Sequence, residues 1–444
     1  MKTLIGNGLV LLYDANGWRL EKKDLLISGN RIEKITETTK TDGCDVIDAT
    51  DQLVMPGLIN AHTHAYMTIH RNLADDLAFF DWLDKVQQVE DGMTEEDVYW
   101  ATLLAITEMI RSGTTCFVDM NIKSARERTG PLSAAAGAAA ESGIRAVISR
   151  GLAGAAESEE SRMKYGQAVR EMEMFREESR IRFLHGPHAP YSCQADYLQK
   201  LTRSSRERGI GQTIHLSESA AEMESFAKDH GMTPIRYVDG LGEFDVPCIA
   251  AHCVYATEED LRIMAEKQVS VALCPKSNMK LGNGFAPAGK MLEAGINMCL
   301  GTDGCGSNNA LNMFSEMNAA GLVYKGAERK ARCLDAAEVL KMATVNGAKA
   351  IGLEGELGVI REGALADLIL LDLKVPQFIP GNNIISGLVY SAAGTEVRTV
   401  MADGKILMQD GKLTTLDEGR IRTECEKMAE RLKIRHAERV PEKK

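Results

Sequence analysis

Aromatic residues are scarce in this chain of 444, at 5%, and positive charge is in deficit, because 52 Lys and Arg against 63 Asp and Glu leave a net charge of −11. Without a cationic surplus, the phosphate-neutralising attraction that dominates nucleic-acid affinity has no evident source, so a small-molecule partner is expected. No apolar run reaches 18 residues, which argues against a membrane-crossing helix. The ten cysteines contain no CxxC pair, so they read as reduced core residues and not as a disulfide framework. The opening MKTLIGNGLVLLYDANGW lacks a small-residue cleavage site, and a cytoplasmic location is expected. With 44% hydrophobic and 26% charged residues, the composition excludes a disordered chain, a collagen-like fibre and a coiled coil. At about 150 residues per domain the length suggests three domains, but an α/β barrel of about 250 residues allows two.

Residues 1–56 alternate apolar and polar positions in short stretches bounded by Gly, Asn and Asp, the pattern of strands and hairpins. The same texture returns in ADLILLDLK and RTVMADGKILMQDGKL, within 360–416, so the two ends can pair into one small composite domain. Residues 417–444, rich in Glu, Lys and Arg, read as one exposed, solvated helix. Between the ends lie eight short apolar runs: VMPGLINAH, GTTCFVDM, IRAVISRG, IRFLHGP, GQTIHL, PCIAAHC, VSVALC and INMCLGTD. Each is followed by a helical stretch, so residues 57–359 are expected to form a parallel (β/α)8 barrel of the TIM type, with a doubly wound sheet as the alternative. The long gap after the first run places residues 65–95 over the barrel mouth, where a lid belongs.

Chemistry concentrates at the ends of these runs. His62 and His64 lie two residues apart on a strand and therefore share a face. His215, His252 and Asp303 close three other runs, so five polar groups converge on one rim. His62, His64, His215 and Asp303 suit one divalent metal at about 2.0–2.2 Å, with a further position open for water, and an open position means catalysis. His252 either ligates too or hydrogen-bonds that water. Glu218, three residues past His215, is positioned as an acid/base beside the metal, the alternative being a carboxylate at a helix N-terminus. The fourth run ends without Lys, Glu or Asp, so a bridged pair of metals is not expected. His185 sits inside that run as a core histidine, whereas His188, between two prolines, faces substrate.

PGLINAHTH, HLSES, AHCV, CPKSNMKLGNG and LGTDGCGSNN resemble the amidohydrolase superfamily over nearly the whole chain, and specifically its branch of cytosine deaminases, triazine hydrolases and methylthioadenosine/S-adenosylhomocysteine deaminases. The resemblance implies an α/β fold, a (β/α)8 barrel beside a small β-sandwich built from both chain ends. It is closest to the methylthioadenosine/S-adenosylhomocysteine deaminases. It implies that Glu90 accepts the ribose hydroxyls, that Arg150 and Arg162 lie near an amino-acid carboxylate, that His188 contacts substrate, and that Trp82 and Ser307 line the purine pocket. From the residues alone, each Arg reads equally as a surface ion pair and Trp82 as packing.

The expected reaction is hydrolytic attack on an electron-poor C=N carbon, with Asp303 taking the water proton, Glu218 protonating the purine N1 and His252 orienting the nucleophile. The expected substrates are S-adenosylhomocysteine and methylthioadenosine, with zinc as first choice of metal and iron or manganese as alternatives. The rivals are a deaminase of 5′-deoxyadenosine, adenosine or guanine, a triazine hydrolase and, from another class, a non-catalytic scaffold. Family resemblance also suggests a homo-oligomer.

Overall fold

In the computed structural model, which describes residues 2–38, 43–123 and 130–439 with side chains up to residue 433, the alternating terminal segments are strands. The N-terminal set comprises β1 (Lys2–Asp14), β2 (Gly17–Ser28), β3 (Arg31–Thr36), β4 (Asp45–Asp48) and β5 (Gln52–Pro56). Next come β6 (Leu58–Thr63), β7 (Thr114–Asn121), β8 (Arg145–Leu152), β9 (Ile181–Phe183), β10 (Gly186–Pro187), β11 (Gln212–Leu216), β12 (Cys248–His252), β13 (Ser270–Leu273) and β14 (Asn297–Leu300). The C-terminal set is β15 (Leu368–Asp372), β16 (Val397–Ala402), β17 (Lys405–Gln409) and β18 (Lys412–Leu413).

Strands β6 to β14 are parallel to their neighbours in two arcs, one running from β6 to β10 and the other from β11 to β14. A parallel bridge between His185 and Gln212 joins the arcs on one side. On the other side the Asp303 amide donates to the His62 carbonyl at 3.0 Å, and Asn60 and Thr302 exchange bonds of 2.7 and 3.0 Å. Gly301 makes this closure feasible, because a Cβ there would stand 2.7 Å from the His62 carbonyl oxygen. The result is a (β/α)8 barrel whose fourth position is split between β9 and β10. Every residue of β6, β7, β8, β11 and β12 is buried, as expected for parallel strands covered by helices on their outer side.

The two terminal sets share one hydrogen-bonded sheet of nine strands, in the order β18-β17-β16-β15-β5-β1-β2-β3, with β4 beside β1. Both chain ends thus build one small β domain, as expected, and its strands are hydrogen-bonded in one continuous sheet. A break in register between Ile5 and Gly8 lets the first part of β1 pair with β4 and the second with β5, and such bulges bend a sheet. Ile5, Leu25, Ile27 and Ile32 from one end meet Leu368, Leu370 and Met401 from the other in one buried cluster. Arg145 at the start of β8 ties barrel to sheet, donating to Asp367 at 3.1 and 3.0 Å and to Asp403 at 2.9 Å.

The C-terminal helix Glu418–Arg439 corrects the expectation of a solvated face. Ile421, Cys425, Met428 and Leu432 are buried, and the Cys425 thiol donates to the Trp100 carbonyl at 3.4 Å. These positions recur every three or four residues and make one apolar stripe, which the many intervening charges obscured. Residues 440–444 of that segment lie outside the described residues. Among the described residues, no helix is long and apolar enough to cross a membrane.

Candidate metal centre and active site

The pocket opens at the C-terminal ends of the barrel strands. Its floor holds His62, His64, His215 and Asp303, all buried, with donor atoms within 4.8 Å of one another. Strand geometry explains the first pair, since residues two apart on an extended chain project to one side. The His64 Nε2 and His215 Nε2 atoms are 3.2 Å apart, and Asp303 Oδ1 stands 3.2 Å from His64 Nε2 and 3.5 Å from His62 Nε2.

The surroundings decide what these atoms can do. His64 Nδ1 donates to the Met120 carbonyl at 2.6 Å and His215 Nδ1 to the His188 carbonyl at 2.6 Å, which fixes the two rings with each Nε2 turned toward the centre. Burial holds the pKa of His62 below and that of His215 well below the ordinary value, so both rings are neutral at pH 7. Although burial opposes it, the rings of His62 and His64 hold the Asp303 carboxyl well below the usual range. Neither nitrogen of buried His62 has a hydrogen-bond partner among the described residues, although Nε2 stands 3.5 Å from Asp303 Oδ1, a costly state unless something else binds there. Three convergent imidazoles, one of them without a hydrogen-bond partner, and a carboxylate fit a divalent metal. The four residues form a metal-binding group.

Asp303 is held from behind. Its Oδ2 accepts from the hydroxyls of Ser277 at 2.7 Å and Ser307 at 2.6 Å, leaving Oδ1 toward the histidines. Ser307, expected in the purine pocket, is fully buried with its hydroxyl on the carboxylate and is not among the residues lining the cavity. Ser277 lies in CPKSNMKLGNG, where nothing local in the sequence links it to a residue 26 positions away.

Glu218 and His252 form the wall beside the metal group. His252 Nδ1 donates to Asn278 Oδ1 at 2.9 Å, so Nε2 is left as an acceptor, 3.7 Å from Glu218 Oε2. Burial pushes His252 down to about 4. Burial, with Asp303 and Glu222 adding their charge, pushes Glu218 well above the usual carboxyl value, against a 3.1 Å bond from Asn283 Nδ2. A carboxyl that keeps its proton beside an unprotonated imidazole is an acid poised to donate. Positive φ at Ser217, His252 and Asp303, of 47°, 71° and 58°, concentrates backbone strain at this rim, as functional sites do.

The segment 65–95 covers the mouth as a 3-10 turn (Ala65–His70) and α1 (Phe79–Glu90). Tyr66, Met67, Phe79, Trp82, Leu83, Gln87 and Glu90 come from it into the pocket wall. Trp82 Nε1 donates to the Gly306 carbonyl at 2.9 Å, and the Tyr66 hydroxyl donates to the buried carboxylate of Glu90. His188 lines the pocket, its Nδ1 2.9 Å from the Ser192 hydroxyl, while His185 is buried in the wall with Nε2 2.9 Å from Ser204. Neither predicted arginine lines the pocket. Arg150 is buried, with Nη1 bonded to Gln167 Oε1 at 3.0 Å and Nε unpartnered. Arg162 is more than half exposed and stands 3.7 Å from Glu157. Sequence reading also passed over Tyr66, Tyr191, Asn121 and Lys123, which complete the wall.

Comparison with known proteins adds four likenesses. The amidohydrolase family matches residues 53–407. A 5-methylthioadenosine/S-adenosylhomocysteine deaminase of Moorella thermoacetica is 44% identical over 84% of this chain and 85% of its own. A 5′-deoxyadenosine deaminase of Methanosarcina mazei is 42% identical over 97% and 98%. Among solved structures, an adenosine deaminase from Xanthomonas campestris with bound zinc superposes with a TM-score of 0.90 at 30% identity, covering 97% of this chain and 98% of that one.

Proposed function

The chain belongs to the amidohydrolase family, and from that premise we propose that it is a hydrolytic deaminase of adenosyl thioethers. It would convert S-adenosylhomocysteine to S-inosylhomocysteine and methylthioadenosine to methylthioinosine, with release of ammonia. The observation that carries the reading is the joining of a four-donor metal group with a proton-bearing Glu218 in one pocket, in a chain 44% identical to a deaminase of these nucleosides.

His62, His64, His215 and Asp303 would hold one divalent metal, zinc being the choice supported by the Xanthomonas relative. When bound, such an ion supplies Lewis acidity that lowers the pKa of water to about 7. The chain's own groups do the rest. Glu218 delivers its proton to the purine N1, which makes C6 electrophilic. His252 Nε2, an acceptor, orients the attacking water, Asp303 takes the first proton that water gives up and returns it to the departing amine, and the proton left on the new C6 hydroxyl goes back to Glu218 as the carbonyl forms. One C–N bond breaks, one C–O bond forms, and ammonia leaves. Glu90 accepts from the ribose hydroxyls, with Trp82 and His188 enclosing the nucleoside.

The test is to follow ammonia release and product mass with S-adenosylhomocysteine, methylthioadenosine, 5′-deoxyadenosine, adenosine and guanine. Turnover of the first two above the rest supports the reading, and silence on every adenosyl compound with metal bound sinks it. A second reading, 5′-deoxyadenosine deamination, is favoured by the Methanosarcina likeness and by the position of both arginines outside the pocket wall. The same assay separates the two.

A further inference from the structure

One short segment reaches all three groups that would handle protons. The Ser277 hydroxyl donates to Asp303 Oδ2 at 2.7 Å, the Asn278 amide oxygen accepts from His252 Nδ1 at 2.9 Å, and Asn283 Nδ2 donates to Glu218 Oε1 at 3.1 Å. The segment is closed on itself, since the Asn283 backbone N–H donates to the Asn278 carbonyl at 2.9 Å. Between these residues, at the end of the helix Pro275–Lys280, stands Lys280, whose ammonium bonds to other parts of the chain. An ammonium has three N–H donors, and Lys280 has three acceptors: the Asp75 carboxylate, the Asn309 amide oxygen and, at 3.3 Å, the Gly306 carbonyl. Asn309 Nδ2 in turn donates to Asn72 Oδ1 at 2.6 Å and to Asp75 Oδ1 at 3.1 Å.

Asn72 and Asp75 belong to the segment 65–95 that covers the pocket mouth. Of residues 72–78 only Ala74 is buried, so polar contacts, more than apolar packing, hold this stretch down. The same contacts reach the pocket wall, because the Gly306 carbonyl also accepts from Trp82 Nε1 at 2.9 Å. An isolated ion pair between partly exposed side chains contributes little, but here one ammonium joins two separate stretches of chain to the helix that carries Ser277 and Asn278. We infer that Lys280 is a positioning residue, which ties closure of the covering segment to the alignment of Asp303, His252 and Glu218. With Asp75 seated, Lys280 fixes the end of its helix and keeps the three polar contacts in register; with Asp75 lifted away, that end is released. Completion of a catalytic set by closure of a covering segment excludes water until substrate is enclosed. The inference rests on the proton-handling roles proposed above for the three groups, and not on which nucleoside is turned over.

The test compares the zinc-loaded wild type with D75N, K280M and the double variant by two readouts. The first is kcat and KM for ammonia release from S-adenosylhomocysteine and methylthioadenosine. Each single variant is expected to lose about tenfold in kcat, within the range for residues that act on a site through others. The double variant should lose no more than the worse single, since both changes break one contact. An unchanged kcat in either single variant, a loss confined to KM, or losses that multiply in the double variant overturns the inference and leaves Lys280 as an anchor of the covering segment alone. The second readout is backbone hydrogen exchange, which needs no turnover. D75N alters an exposed side chain and should speed exchange both in residues 71–82 and in residues 277–283. Faster exchange in 71–82 alone overturns the inference. If the wild type releases ammonia from neither compound, the adenosyl-thioether reading falls, while the exchange result still decides whether the two segments are coupled.

Discussion

The two ends of the barrel are made from the same eight strands and differ in almost every physical respect. At the C-terminal rim, buried His62 has two unpartnered nitrogens, Glu218 retains its proton well above the usual pH, and three residues around the centre take positive φ. Toward the opposite end, Ile59, Ala61, Cys116, Val118, Val147, Ile249, Ala272 and Cys299 fill the interior as an apolar cluster. There the buried charge of Arg145 is matched by Asp367 and Asp403. Apolar packing thus fills one end, and the strain and unsatisfied polarity that the chemistry uses lie at the other.

The sharpest break of this contrast is E218Q, which keeps shape and removes the titrating proton. Ammonia release should fall by about 10²–10⁴-fold in kcat, as for loss of a general acid, with the melting temperature little changed. The reverse should hold at the other end. I249A removes a side chain only 2% exposed and should cost about 2–5 kcal/mol of stability, measured by denaturant titration, while kcat/KM at 25 °C stays near wild type. A loss of activity there without a loss of stability would erase the division of labour.

S277A probes the boundary between the ends. It removes one of two hydroxyls from Asp303 Oδ2, and metal affinity or activity should drop about 10–100-fold, the usual effect of losing a group that orients a ligand. Competitive chelation followed by metal analysis would show it, and unchanged affinity would make Ser277 a packing residue. The smallest effect is expected from Glu243, buried away from the pocket and accepting from Thr202 Oγ1 at 3.1 Å. Burial pushes its carboxyl up to about 8 from 4.5. The folded chain therefore binds a proton that the unfolded chain has released, so wild-type stability should decline as pH rises from about 4.5 to about 8, by proton linkage. E243Q should flatten that part of the curve, and parallel stability curves for the two proteins would refute it.

Much of the site was legible because it is encoded at short range. The His62–His64 pair declares itself through the two-residue period of a strand, and four of the eight apolar runs end in the polar groups that the barrel gathers on one rim. Glu218 was readable from its spacing to His215. What was not legible lies across long separations: Ser277 and Ser307 behind Asp303, Asn278 behind His252, Asn283 on Glu218. A hydroxyl or amide, that of Ser307 included, carries no mark of which carboxylate it will meet. The C-terminal helix failed for a different reason, since its apolar stripe is only four residues wide and charges crowd around it.

By itself, then, the chain's pattern determined the elements, their alternation and the donor atoms of the metal group, because strand and helix periods and residue chemistry are local properties. Tertiary structure alone decided that both chain ends share one continuous sheet, that Arg150 and Arg162 stay out of the pocket wall and that Lys123 enters it. Those outcomes depend on strand order and on which side chain faces which cavity, and burial, not sequence spacing, then sets the protonation of Glu218 and His252 on which the chemistry turns.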